Sequence, residues 1–202
     1  QLIEGRHDAL AISAGYARVA EAAIQVLTDA TIGEFEATHG KIAGSALGIL
    51  ALGRLGGEAL THASDLDLIF LFTGDHSAES DGARPLGATQ YYNRLTARIV
   101  TALSVPTAAG PLYEVDTRLR PSGTQGPLAV TFESFRKYQR ESAWTWEHMA
   151  LSRARPVYGS TADRTQLKDE ICSILKTERE PEVLRKAVRK MRLDIVEHKP
   201  PK

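Results

Sequence analysis

A chain of 202 residues and 22.0 kDa with 43% hydrophobic residues is long enough for one good core carrying a smaller helical appendage, and is too apolar to be disordered. Lys and Arg together number 25, as do Asp and Glu, so the balance supplies no electrostatic case for a nucleic-acid or membrane partner, and neither is expected. The apolar windows at 46–52 and 66–72 are strand-sized rather than membrane-sized, residues 1–8 lack the pattern of a signal peptide, and Cys172 stands alone. Together these predict a cytoplasmic chain.

From about 8 to 35 the chain is Ala-rich, and Leu10, Ala14, Ala17, Ala20, Ile24 and Leu27 recur at helical spacing, predicting a long helix with one buried stripe. Gly40 and Gly44 bracket the turn after it. Residues 46–53 read as an interior strand, broken at Arg54-Leu55-Gly56-Gly57, with a short helix expected at 58–60. Residues 66–72 form a second strand, apolar on both faces apart from the aspartates at its start, and 73–87 is a polar surface loop. Thr89 is expected to cap a helix burying Tyr92, Leu95, Ile99 and Leu103, ended near Pro106. Residues 112–119 alternate as a strand: Tyr113, Val115, Thr117 and Leu119 on one face, Glu114, Asp116, Arg118 and then Arg120 on the other. After a turn at 121–126, Thr131 caps a helix carrying Phe132, Phe135 and Tyr138, and a further helix spans about 142–149 with Trp144 and Trp146. Residues 154–158 suit an edge strand, since Pro156 cannot complete a central ladder. Helices follow at 161–176 and from Pro181 to about 196, the latter burying Val183, Ala187, Met191 and Ile195. The expected division is a main unit over 1–160, which includes the N-terminal helix, and a helical extension over 161–202. The missing Met at position 1 and the Lys-Pro-Pro-Lys at 199–202 suggest a piece of a longer protein, with a linker starting at that end.

Asp65 and Asp67 are one residue apart on a strand and therefore project to the same side, with Leu66 and Leu68 anchoring the other. At such separation two like charges repel by about 4 kcal/mol at an effective dielectric near 20, and no Lys or Arg between 64 and 73 relieves them. A cation would. Asp116 supplies a third carboxylate, and three carboxylates without a Cys or His pattern favour Mg²⁺, or Mn²⁺, over zinc. Two such ions would sit about 3.5–4 Å apart at a reacting phosphorus. Gly56 and Gly57 suit close approach of phosphate oxygens to backbone N–H groups, Ser64 can donate a further hydrogen bond, and Arg118 and Arg120 can grip phosphates. No Gly-Lys-Ser/Thr follows the glycines and their spacing is not that of a dinucleotide fingerprint, so P-loop and dehydrogenase readings fail. Each feature alone also has an ordinary explanation: the glycines as a turn, 114–120 as a solvated strand face, Tyr91, Tyr92, Trp144 and Trp146 as core or interface anchors, His148 as a packed helix residue.

The order of these features resolves them together. Residues 51–72, ALGRLGGEALTHASDLDLIFLF, resemble the signature of the DNA polymerase β-like nucleotidyltransferases. That segment, YEVDTRLRPSGTQGPLA at 113–129 and SFRKYQRESAWTWEHMALSRARPV at 134–157 are similar to the glutamine synthetase adenylyltransferase family, over about 45–160. The resemblance implies an α+β domain of the polymerase β-like fold, with a small mixed sheet flanked by helices and a helical C-terminal extension. It also implies transfer of AMP from Mg-ATP to a tyrosine of glutamine synthetase. Asp65, Asp67 and Asp116 would be the catalytic metal ligands, Asp116 also activating the tyrosine; Gly56, Gly57, Ser64, Arg118 and Arg120 would surround the nucleotide. For the two arginines, phosphate, target and a structural ion pair all remain open. The family has two such domains, one adding AMP and one removing it by phosphorolysis, balanced by PII-type signal proteins. The forms at 113–116 and 143–150 are more like the C-terminal, adenylylating copy. Removal of AMP by phosphate and a non-catalytic nucleotide-sensing module are the alternatives.

Overall fold

A computed structural model describes residues 8–108 and 110–198. The long helix α1 (Ala9–His39) continues past the expected end at Phe35 for one more turn, in which His39 is buried and its Nδ1 lies 2.7 Å from the Arg84 carbonyl. Its buried stripe starts at Ala17 and runs through Ala20, Ile24 and Phe35, whereas Leu10 is exposed. By length and composition alone α1 would satisfy a membrane span, although the sequence holds no unbroken apolar run; alanines raise its mean hydropathy. Within the fold its stripe packs against α3 (Ala88–Ser104).

Strand β1 (Leu47–Ala51) pairs antiparallel with β2 (Leu66–Phe72), Leu47 opposite Phe72 and Ala51 opposite Leu68. The edge strand β7 (Arg155–Tyr158) lies on the outer side of β1, antiparallel, with a register shift between Ile49 and Leu50, and it carries Pro156 where no central ladder is interrupted. The other flank of β2 is shared. β5 (Val115–Asp116) runs parallel to its beginning and β6 (Ala129–Thr131) parallel to its end, completing a mixed five-stranded sheet. Two short segments, β3 (Pro106–Thr107) and β4 (Gly110–Pro111), form a separate hairpin.

Helices cover both faces, so the near-continuous apolar run of β2 has a use on each. Leu66, Leu68, Phe70 and Phe72 enter a core with Ile24, Phe35, Leu95 and Ile99 of α1 and α3. Ile69 and Leu71 enter a second core with Phe135, Leu151, Leu167 and Ile171 from α4 (Phe132–Glu141), α5 (Thr145–Leu151) and α6 (Thr161–Leu175). Each of the large side chains here contributes about 1.5–3 kcal/mol of burial.

Local signals explain most boundaries. Thr131 accepts a hydrogen bond from the Ser134 N–H, capping α4, and Ser160 caps α6 through the Asp163 N–H. The helix expected at 142–149 begins later, because Trp144 is its N-cap and Glu147 accepts the Trp144 N–H at 2.8 Å. Thr89 lies inside the first turn of α3, whose N-cap is Gly87. In α7 (Pro181–His198), which lies against α5, Val183 is exposed and the half-buried line is Leu184, Ala187, Val188 and Met191. The Ile195 side chain and the linker expected at 199–202 lie outside the described residues.

Candidate active site

The alternation of β2 continues one residue before it, so Asp65, Asp67, Ile69 and Leu71 share a side. Ile69 and Leu71 are buried beneath helices, while Asp65 and Asp67 emerge at the strand's open end. The parallel register places Asp67 beside Asp116, and the Leu66 N–H donates to the Glu114 carbonyl at 2.8 Å. One carboxylate oxygen from each of Asp65, Asp67 and Asp116 lies within 4.8 Å of the others. Asp65, Glu114, Asp116 and Arg118 line the open cleft, of about 350 Å³, at this point.

The electrostatics are uneven. Burial, followed by the charges of Asp65 and Asp116, pushes the Asp67 carboxyl up to about 6. Asp116 is held below the ordinary carboxylate range, chiefly by hydrogen bonds from the Arg118 side chain. Arg118 Nε donates to both oxygens of Asp116 at 3.0 and 2.9 Å, Nη2 donates to Oδ2 at 2.5 Å, and the Arg118 backbone N–H donates to Oδ1 at 2.8 Å. Arg118 is itself raised, first by the bonds to Asp116 and further by the charges of Asp65 and Asp67, so one exposed guanidinium pairs with Asp116 within the field of the other two acids.

The remaining residues singled out from sequence take different places. No helix forms at 58–60; the helix is α2 (Gly53–Gly56), which starts directly after β1. Its first residue, Gly53, has φ 54°, and a Cβ there would lie 1.9 Å from Asp67 Oδ2. The glycine that gives way to a carboxylate of the cluster is thus Gly53. Gly56 and Gly57 sit at the other end of α2, where a Cβ on Gly56 would meet the Arg153 carbonyl at 2.1 Å. Ser64 Oγ accepts the Thr61 N–H at 3.1 Å and meets Thr61 Oγ1 at 2.8 Å, closing the turn before Asp65.

The strand expected over 112–119 is reduced to β5, because β6 takes over the flank of β2 from Phe70 onward and the chain must loop out between them. Arg118 therefore sits in a turn, and Leu119 packs on the second core whereas Tyr113 and Val115 pack on the first. Arg120 is buried, and its guanidinium donates to the carbonyls of Thr117, Gly126 and Pro127 at 2.8–3.2 Å, so it clamps this loop. His148 is a packed helix residue, its Nε2 at 2.8 Å from the Gln139 carbonyl and its Nδ1 facing Arg179. Trp144 and Trp146 are exposed, and Tyr91 and Tyr92 are in the core.

Two positioning residues were missed. Arg155 Nη2 donates to Leu55 O at 3.1 Å and to Glu21 at 2.6 Å, and its Nε to Gly56 O at 3.3 Å, tying α2 to β7 and α1. Such a contact spans about a hundred residues and leaves no local signal. Gly53 did leave one: a glycine directly after an apolar strand and before the acidic pair.

The family model for glutamate-ammonia ligase adenylyltransferase matches residues 2–171. The chain is 46% identical over 203 residues to a bifunctional glutamine synthetase adenylyltransferase/adenylyl-removing enzyme of Brucella suis biovar 1 (strain 1330), covering 100% of this chain and 21% of that protein. Proteins of the same name from Mesorhizobium japonicum and Bartonella henselae are 43% and 50% identical, covering 99% and 83% of this chain and 20% and 17% of theirs. The chain spans about a fifth of the length of the curated relatives it matches.

Proposed function

Because the chain belongs to the glutamate-ammonia ligase adenylyltransferase family, we propose that its aspartate cluster transfers AMP from ATP to a tyrosine hydroxyl of glutamine synthetase. The observation that carries this reading is the convergence of Asp65, Asp67 and Asp116 within 4.8 Å at the open end of β2. We assign the fold to the polymerase β-like nucleotidyltransferases, on the small mixed sheet that presents two of these carboxylates on one strand and the third on its neighbour.

The donor set fits Mg²⁺ or Mn²⁺: three hard carboxylate oxygens close together, one of them, on Asp67, pushed up in pKa by burial and then by the charges of the other two. Asp65, Asp67 and Asp116 would hold the ion, which when bound would neutralise charge on the triphosphate. The chain's own residues set the rest. Gly53 leaves Asp67 its space, and Arg155 holds α2 so that Gly53 stays beside it. Arg118, exposed at the rim, can exchange Asp116 for phosphate oxygens, a ligand its planar fork also matches. That exchange frees Asp116 from the side-chain bonds that chiefly depress it. Asp116 can then take the proton of the attacking tyrosine, whose hydroxyl ordinarily titrates near pH 10.

Incubation with α-labelled ATP, Mg²⁺ and unmodified glutamine synthetase should label the synthetase. The relatives' names also include adenylyl removal, so phosphorolysis at the same carboxylates is the second reading. Adenylylated synthetase with phosphate, assayed for ADP, separates the two. ATP binding with neither reaction would instead support a nucleotide-sensing module. Regulation by a PII-type signal protein belongs to this proposal as a property of the longer protein.

A further inference from the structure

A second concave site lies at the far end of α2 from the aspartates. Gly57, Arg153, Arg155, Thr161, Arg164 and Lys168 line a cleft of about 490 Å³ between the start of β7 and the first half of α6, and no carboxylate is among its lining residues. Thr161, Arg164 and Lys168 recur at helical spacing and so present one face of α6 to it. On the opposite wall the Arg153 stem passes over Gly57, where a Cβ would stand 3.5 Å from Arg153 Cδ.

The charges in this cleft are of two kinds. Arg155 is already matched, by Glu21 at 2.6 Å and Glu58 at 3.9 Å. Arg153, Arg164 and Lys168 are exposed, and none forms an ion pair among the described residues. In a chain with formal net charge of zero, this collects three unmatched cations in one concavity. Like charges brought together repel, so the arrangement favours an anion that bridges them. The volume falls within the range of about 300–1,000 Å³ usual for small-molecule sites. Two guanidinium forks, an ammonium and the hydroxyl of Thr161 suit the several oxygens of a phosphate better than a single carboxylate.

We propose that this cleft binds a small phosphate-bearing polyanion, at a site separate from the aspartate cluster. The proposal does not depend on the reaction assigned to that cluster. The test is calorimetric titration of the Asp65→Asn/Asp67→Asn chain with inorganic pyrophosphate in EDTA and low salt, where the aspartates and divalent metal cannot serve as receptor. Saturable binding is expected, weakened about tenfold or more by Arg164→Gln/Lys168→Gln and, from the other wall, by Arg153→Gln. It should also weaken as salt is raised. Inorganic phosphate and metal-free ATP, titrated in parallel, tell a single phosphate group from a polyphosphate, and saturable binding of either supports the site. All altered side chains in the cleft are exposed, and thermal melts check that the variants fold. Failure of all three phosphate compounds to bind would overturn the proposal. So would binding unchanged in both cleft variants, binding lost in Arg118→Gln instead, or capture of an acidic peptide with no phosphate binding.

Discussion

Replacing Asp67 with asparagine is expected to stabilise the metal-free chain at about pH 8, against the usual outcome for a substitution in a strand. The fold raises the Asp67 carboxyl from its ordinary 3.8 to about 6, by burial and by the charges of Asp65 and Asp116. A raised acid favours its neutral form in the native state. Native stability is therefore fully present below about 3.8 and declines as pH rises through about 6. That displacement corresponds to about 3 kcal/mol before screening, and to about 1.5 kcal/mol once the partial exposure of the site is allowed for. Asparagine keeps the shape of the neutral acid, so it should recover about 1.5 kcal/mol at about pH 8 and close to nothing near pH 4. Urea unfolding of both proteins in EDTA at the two pH values measures this directly. Added Mg²⁺ should stabilise the wild type and not the variant. The reasoning fails if the variant is no more stable at the higher pH. An equal gain at both pH values would also refute it, since that would trace to packing rather than charge.

Gly53→Ala places a Cβ 1.9 Å from Asp67 Oδ2 at a positive φ, so it should cost about 1–2 kcal/mol in urea unfolding and reduce labelled transfer by about a hundredfold or more through displacement of Asp67. Arg120→Ala removes the donors to the Thr117, Gly126 and Pro127 carbonyls and should lower unfolding free energy by about 2–4 kcal/mol; Arg120→Lys should not restore it, lacking the planar fork. Glu147→Ala leaves the Tyr138 hydroxyl and the Trp144 N–H without their acceptor, a loss of about 1–3 kcal/mol on chemical denaturation, which Glu147→Gln should partly recover because an amide oxygen still accepts.

The core was legible where periodicity is strong. Residues 66–72 read as a strand covered on both faces, and Tyr92, Leu95, Ile99 and Leu103 as one helix face, because burial imposes a repeat that side chains reveal. The local start of α2 was not legible, since a four-residue helix is too short to show a period. The strand at 112–119 was overextended for a different reason. Alternation shows which residues suit a strand, but here β6 occupies the rest of the flank of β2 and leaves β5 two residues.

The chain's own residues settle the Asp65 and Asp67 pair on one side of a strand, because a period of two leaves no other arrangement. They also settle the family, through motifs too long to share by accident. Only the folded chain decides that Asp116 stands beside Asp67, that Arg118 holds Asp116 while Arg120 clamps a loop, and that Gly53 rather than Gly56 makes room for a carboxylate. These depend on strand register and close approach between segments distant in sequence, which local spacing does not encode.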